Sequence, residues 1–228
     1  MDVNRIQRTL VWSGWVRLAH GLIALSVIAL MASGWLVKLA PGVAESASEY
    51  HDLAGIGLTL GLLLRIVLLF AAKGSAHWKA LLPGRADLHG MAMTLRFYAT
   101  MGKSPLPKWY AHNPLWAPLY LFILLILVLQ TLTGLLMEAW PLIGGFYLPL
   151  VHDFWAPVIL GFSCLHVVTV VLHDAKGGAA DVSAMINGHR IFIVEDVDLP
   201  PVPGVQSVPL DRVGKPRNTS QDQMHSSE

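Results

Sequence analysis

Residues 151–166 read VHDFWAPVILGFSCLH, an apolar run with a histidine near its start and another at its end. An imidazole costs free energy to bury in hydrocarbon unless it finds a partner. Fourteen residues of helix rise about 21 Å and leave the second histidine only about 40° around the axis from the first. His152 and His166 therefore share one stripe at two depths, the stripe that faces the interior of a helix bundle.

The rest of the chain supplies such a bundle. Of its 228 residues 54% are hydrophobic and 14% charged, against about 25% charged in soluble domains. Four apolar runs, about 14–37, 53–72, 115–137 and 150–172, reach the length of about 20 residues that a helix needs to cross a bilayer. The first is too long for a cleaved signal and has no small-residue cleavage pattern. Between the second and third runs, residues 73–114 carry six Lys/Arg and one acid, Asp87. The short connections after the first and third runs hold no basic residue beyond Lys38. The positive-inside rule then puts both termini and the long connection in the cytoplasm, and the short connections outside. The expected fold is an all-α integral membrane protein, a four-helix transmembrane bundle over residues 1–193. A Pro-rich tail, 194–228, has nothing to bury and reads as disordered. Topology accounts for the basic connection, so nucleic acid is not called for. The single cysteine, Cys164, excludes a disulfide framework, an iron–sulfur cluster and covalently attached haem.

Depth sorts the ten histidines. His77, His89, His189 and His225 read as solvated. His20 lies in the inner half of the first helix and His51 at the outer end of the second, so His20 can meet His166 and His51 can meet His152. Two imidazoles facing each other in an apolar bundle fit the axial positions of a haem iron. Gly34, fourteen residues after His20, would let a flat macrocycle approach. Arg65 and Arg17 could neutralise propionates, or simply snorkel to the interface. Zinc or copper would want three or four donors together rather than separated pairs. A proton relay would want carboxylates deep in the spans, and these have none. His173, seven residues past His166, reads as an interfacial residue, with two other roles open: substitute ligand, or neighbour of a quinone.

The segments WVRLAHGL, EYHDLAGIGLTLGLLLRI, AHNPLW, QTLTGLLM and VHDFW…CLHVVTVVLHD…VSAMINGHRIF occur in that order. In them the chain, from about residue 12 to 193, resembles the b-type cytochrome subunits of membrane-bound nickel–iron hydrogenases, and more broadly the bacterial cytochrome b561 family. The resemblance implies two non-covalent b haems whose axial ligands match His20, His51, His152 and His166. It implies an electron-transfer subunit of an oxidoreductase complex, multi-pass in the bacterial inner membrane, passing electrons between a periplasmic redox partner and quinone. A related family places an asparagine against the quinone ring, which here is Asn113; the same residue can cap the third helix, with Pro114 in its first turn. The outer connections are short and carry Glu45, Glu49, Glu138 and Asp153, a rim suited to a partner with basic residues. A periplasmic c-type cytochrome or another dehydrogenase fits that rim as well as a hydrogenase subunit does. Two alternatives share the scaffold: a stand-alone superoxide/quinone oxidoreductase, and a membrane anchor without electron transfer.

Overall fold

The computed structural model describes residues 5–177 and 181–194. Within them Ile6–Ile193 form one compact unit. Its order is β1 (Arg5–Leu10), α1 (Gly14–Leu39), α2 (Ala44–Ala71), α3 (Asp87–Ala99), α4 (Trp116–Leu136), β2 (Leu142–Ile143), β3 (Phe146–Tyr147), α5 (Leu148–Gly177), α6 (Asp181–Asn187) and β4 (His189–Val194). The four long helices α1, α2, α4 and α5 are each long and apolar enough to cross a membrane. Much of their surface is exposed Leu, Ile, Val and Phe, which lipid rather than water would cover. The proline-rich tail lies, from residue 195 onward, outside the described residues.

Helices in a bilayer associate through close packing, because lipid is as apolar as leucine. The sequence Gly57-Leu-Thr-Leu-Gly61 puts two glycines on one face of α2. A Cβ on Gly57 would stand 2.7 Å from Ser26 Oγ, and one on Gly61 would stand 3.1 Å from the Ile23 backbone nitrogen. Only glycine lets α1 and α2 approach this closely. The central core joins Val27 of α1, Leu58 and Leu62 of α2, Ile123, Ile126 and Leu127 of α4, and Ile159 of α5. Ile159 lies midway between His152 and His166, so this apolar layer separates the two histidine depths.

Two ends of the bundle follow. The turn end carries the α1–α2 and α4–α5 connections. There β2 and β3 pair antiparallel, Leu142 with Tyr147 and Ile143 with Phe146. The two-residue loop Gly144-Gly145 has positive φ at both positions, 55° and 86°, which a type I′ hairpin requires and glycine supplies without strain. Lys38 and Asp153 form an exposed ion pair between α1 and α5 at this end. The connection end carries β1, the stretch between α2 and α4, and the α6–β4 segment. Here β1 pairs with β4. Gly188 has φ 86°, and its carbonyl accepts from the N–H groups of Val11 and Trp12. Arg17 donates to the Ile186 carbonyl, tying the start of α1 to α6.

Two features depart from the sequence reading. Helix α2 starts at Ala44, so His51 sits inside it, in its second turn. The basic connection contains a helix of its own, α3, which buries Thr94 and Phe97. Pro157 lies inside α5 without ending it. It lacks only the N–H that the Asp153 carbonyl would have accepted.

Candidate functional site

At the turn end His51 of α2 faces His152 of α5, with ring centroids 6.3 Å apart and the planes at 67°. Each ring is held from behind in the same way. Ser33 Oγ lies 3.0 Å from His51 Nδ1 and donates to the Ala29 carbonyl at 2.7 Å. Thr133 Oγ1 lies 3.0 Å from His152 Nδ1 and donates to the Leu129 carbonyl at 3.0 Å. A hydroxyl has one hydrogen, and here a helix carbonyl takes it. With its hydrogen on that carbonyl, the oxygen is placed to accept from Nδ1–H of each histidine, in the tautomer that keeps the Nε2 lone pair. The next residue is glycine in both cases. A Cβ on Gly34 would stand 3.4 Å from His51 Cε1, and one on Gly134 would stand 3.2 Å from His152 Cε1. Gly34 thus makes room for the imidazole itself. Gln130 adds a bond from Nε2 to the His152 carbonyl, 2.9 Å.

At the connection end His20 of α1 faces His166 of α5, centroids 6.4 Å apart and planes at 62°. No hydroxyl backs His166; its Nδ1 is buried without a hydrogen-bond partner among the described residues. Aromatic rings hold it instead. Phe162 stacks parallel to it at 6.0 Å, while Tyr120 and Trp116 meet it edge-on at 5.6 and 6.2 Å. All four histidines expected to pair do so, and in the expected combination.

The other residues singled out, Arg65, Asn113, Arg17 and His173, gather at the connection end, and His112 lies there with them. Arg65 is half-buried and donates to the Ala76 carbonyl at 2.9 Å. His112 packs edge-on against Trp12 at 4.9 Å. Burial, with the Arg65 guanidinium nearby, lowers the His112 pKa to about 4, so it is neutral at pH 7. Asn113 Oδ1 accepts from the Leu115 N–H at 2.9 Å, and its backbone carbonyl accepts from Trp116 and Ala117. The capping role is therefore filled, while Asn113 Nδ2 is buried with no hydrogen-bond partner among the described residues. Arg17 keeps a buried Nε without a hydrogen-bond partner among the described residues, beside its bond to Ile186. His173 corrects the interfacial expectation: it stands at the end of its span but is buried. Its Nε2 lies 2.7 Å from Tyr98 Oη, which accepts from Trp116 Nε1 at 2.7 Å.

A family model described as prokaryotic cytochrome b561 matches residues 11–188. The chain belongs to the prokaryotic cytochrome b561 family. It is 27% identical over 220 residues to a probable Ni/Fe-hydrogenase B-type cytochrome subunit of Cupriavidus necator, covering 82% of this chain and 88% of that one. A protein of the same description from Rhodobacter capsulatus is 24% identical over 224 residues, covering 84% of each. No solved structure matches. The chain is thus a multi-pass membrane cytochrome b, an electron-transport protein whose prosthetic group is haem.

The residues of this cytochrome b fit that group at both ends. Two imidazoles that shared one metal ion at about 2.0 Å each, with about 1.1 Å from each ring nitrogen to its ring centre, would have ring centres about 6.2 Å apart. The observed separations are 6.3 and 6.4 Å. The hydroxyl bonds at the turn end leave Nε2, the nitrogen that would bind iron, as the electron-pair donor. Among the described residues no group of three or more His, Cys, Asp or Glu side chains converges as a separate metal site.

Proposed function

We propose that the chain carries electrons across the inner membrane of a bacterium between a periplasmic redox partner and quinone, through two b haems. His51 and His152 would hold one haem, and His20 and His166 the other. The observation that carries this reading is the pair of facing imidazoles repeated at two depths of one bundle, with a ring separation suited to one metal ion between each pair. Haem iron supplies reversible one-electron chemistry. The chain supplies the ligands, the apolar layer around Ile159 between them and cationic side chains, Arg65 and Arg17, that can neutralise propionates at the connection end.

The six basic residues of the 73–114 connection support an orientation with that end in the cytoplasm and the turn end in the periplasm. The names of the two relatives support a hydrogenase as the partner at the turn end. The acidic rim there, Glu45, Glu49 and Glu138, would also suit a c-type cytochrome or another dehydrogenase with a basic docking face. Quinone would bind at the connection end, where the buried amide Nδ2 of Asn113 is available to a quinone carbonyl.

An anaerobic redox titration of the detergent-purified protein, with haem extracted and counted per chain, tests the reading. Two low-spin b haems with separable potentials are expected. One haem would mean that one histidine pair has another role, and none in a folded protein would overturn the proposal.

A further inference from the structure

The connection between α2 and α4 has a built concavity outside the histidine sites. A cavity of about 530 Å³ is lined by Met93, Arg96, Thr100, Lys103, Ser104 and Pro105. It forms where α3 ends. Met101 and Gly102 take positive φ, 54° and 77°, and fold the chain back so that Lys103 and Ser104 face the last turn of the helix. Thr100 Oγ1 lies 2.9 Å from Ser104 Oγ and accepts from the Ser104 N–H at 3.1 Å, so two hydroxyls meet at the cavity wall.

Its charge is uncompensated. Arg96 and Lys103 are exposed, and among the described residues no carboxylate pairs with either. Asp87, the one acid of the connection, accepts instead from the Gly84 N–H at the far end of α3. A third cation stands close by, since a Cβ on Gly102 would lie 3.4 Å from Lys176 Cε. Lys176 closes the last membrane span. The cavity therefore opens at the depth where acyl chains give way to headgroups. Leu88, Leu95 and Met101, all exposed, give the same connection apolar side chains to set in that boundary.

We propose that this cavity binds the phosphate of an anionic phospholipid, with Arg96 and Lys103 as charge partners and the Thr100–Ser104 hydroxyls as further hydrogen-bonding groups. A positive cavity beside a span end is the local form that headgroup recognition takes. The general basic character of the connection, which topology alone explains, would attract lipid without preference among its six cations. Preference is what separates the two readings, and neither depends on the haem assignment.

The test is native mass spectrometry of the delipidated full chain, titrated with phosphatidylglycerol or with phosphatidylcholine. Phosphatidylglycerol should occupy one site in preference to phosphatidylcholine. The double variant R96Q/K103Q should weaken that site about twenty-fivefold, about fivefold for each cation. The charge-keeping R96K/K103R should retain most of it. The matched pair K73Q/R85Q removes the same charge from exposed positions of the connection and should leave it unchanged. Equal weakening by the matched pair, or equal binding of the two lipids, would overturn the proposal. If millimolar inorganic phosphate displaces the lipid, a soluble phosphate is the ligand and the lipid reading falls. Monodisperse elution and an unchanged far-UV spectrum check that each variant is folded.

Discussion

The turn-end pair and the connection-end pair have almost the same ring separation, 6.3 and 6.4 Å, and different surroundings. His51 and His152 each bond a hydroxyl and lie against a glycine. Among the described residues His166 has neither; its Nδ1 is buried and finds no partner there, and aromatic rings hold it, with Arg65 at the same end of the bundle. A bond to the remote nitrogen makes an imidazole a more basic ligand and favours oxidised iron. A nearby cation favours the reduced form, and loss of the bond acts in the same direction. The turn end should therefore have the lower potential, and electrons should run down toward the connection end. On the two-haem proposal, one histidine geometry set in two surroundings would make a donor and an acceptor.

The sharpest way to break this comparison is to remove one ligand. His152→Ala should abolish one haem and His166→Ala the other, each leaving its counterpart; haem counted per chain checks it. If either substitution removed both haems, the two sites would not be independent. Next in size is Thr133→Val, which keeps the shape and deletes the hydroxyl. Loss of such a supporting bond typically costs about 10–100-fold in affinity. Haem retention at the turn end should fall by that order, and the potential of that site alone should rise toward the other.

Gly134→Ala places a methyl 3.2 Å from His152 Cε1 and should lower turn-end occupancy in part. Gly161→Ala, on the facing helix with nothing within 4 Å, should leave it unchanged. Visible spectra of the two variants at equal protein concentration decide it.

A pH series probes the other end. The folded pKa of His112, about 4, lies below its ordinary value of 6.5. Its contribution to stability is therefore complete above pH 6.5 and is lost as pH falls through about 4, at no more than about 1.4 kcal/mol per unit. Thermal melts from pH 7 to 4 should show this decline, and His112→Phe should flatten it. The smallest effect is expected from Asp153→Asn. Both partners of the Lys38 ion pair are more than half exposed, 58% and 54%, and such pairs contribute about 1 kcal/mol or less. A melting shift well above that would give the pair a role in closing the turn end.

The spans and the pairing of histidines were legible because each rests on a strong periodicity: long apolar runs, and fourteen residues from His152 to His166. The supports were not. Ser33 and Thr133 are ordinary hydroxyls in apolar helices, and only the contact across to another helix reveals what they do. A signal was present in the repeated hydroxyl–glycine steps, Ser33-Gly34 and Thr133-Gly134, each near the end of its span. The first turns of α2 were missed because hydropathy reports preference for lipid, and Glu45–Tyr50 form a helix that is largely exposed and polar. Helix α3 was hidden by the charges around it. His173 read as interfacial because its partner, Tyr98, lies 75 residues away on α3.

The distance from His152 to His166 along α5 has an energetic meaning in a charged membrane. Fourteen helical residues span about 21 Å, roughly two thirds of an apolar layer about 30 Å thick. Electron transfer between two haems held by these pairs, as proposed, would be a displacement of charge through most of the transmembrane field. A full crossing is worth about 2.3 kcal/mol per 100 mV, so this step responds by about 1.5 kcal/mol per 100 mV. On the proposed two-haem reading the protein would be an electrogenic element, and its rate should answer to membrane voltage as well as to substrate.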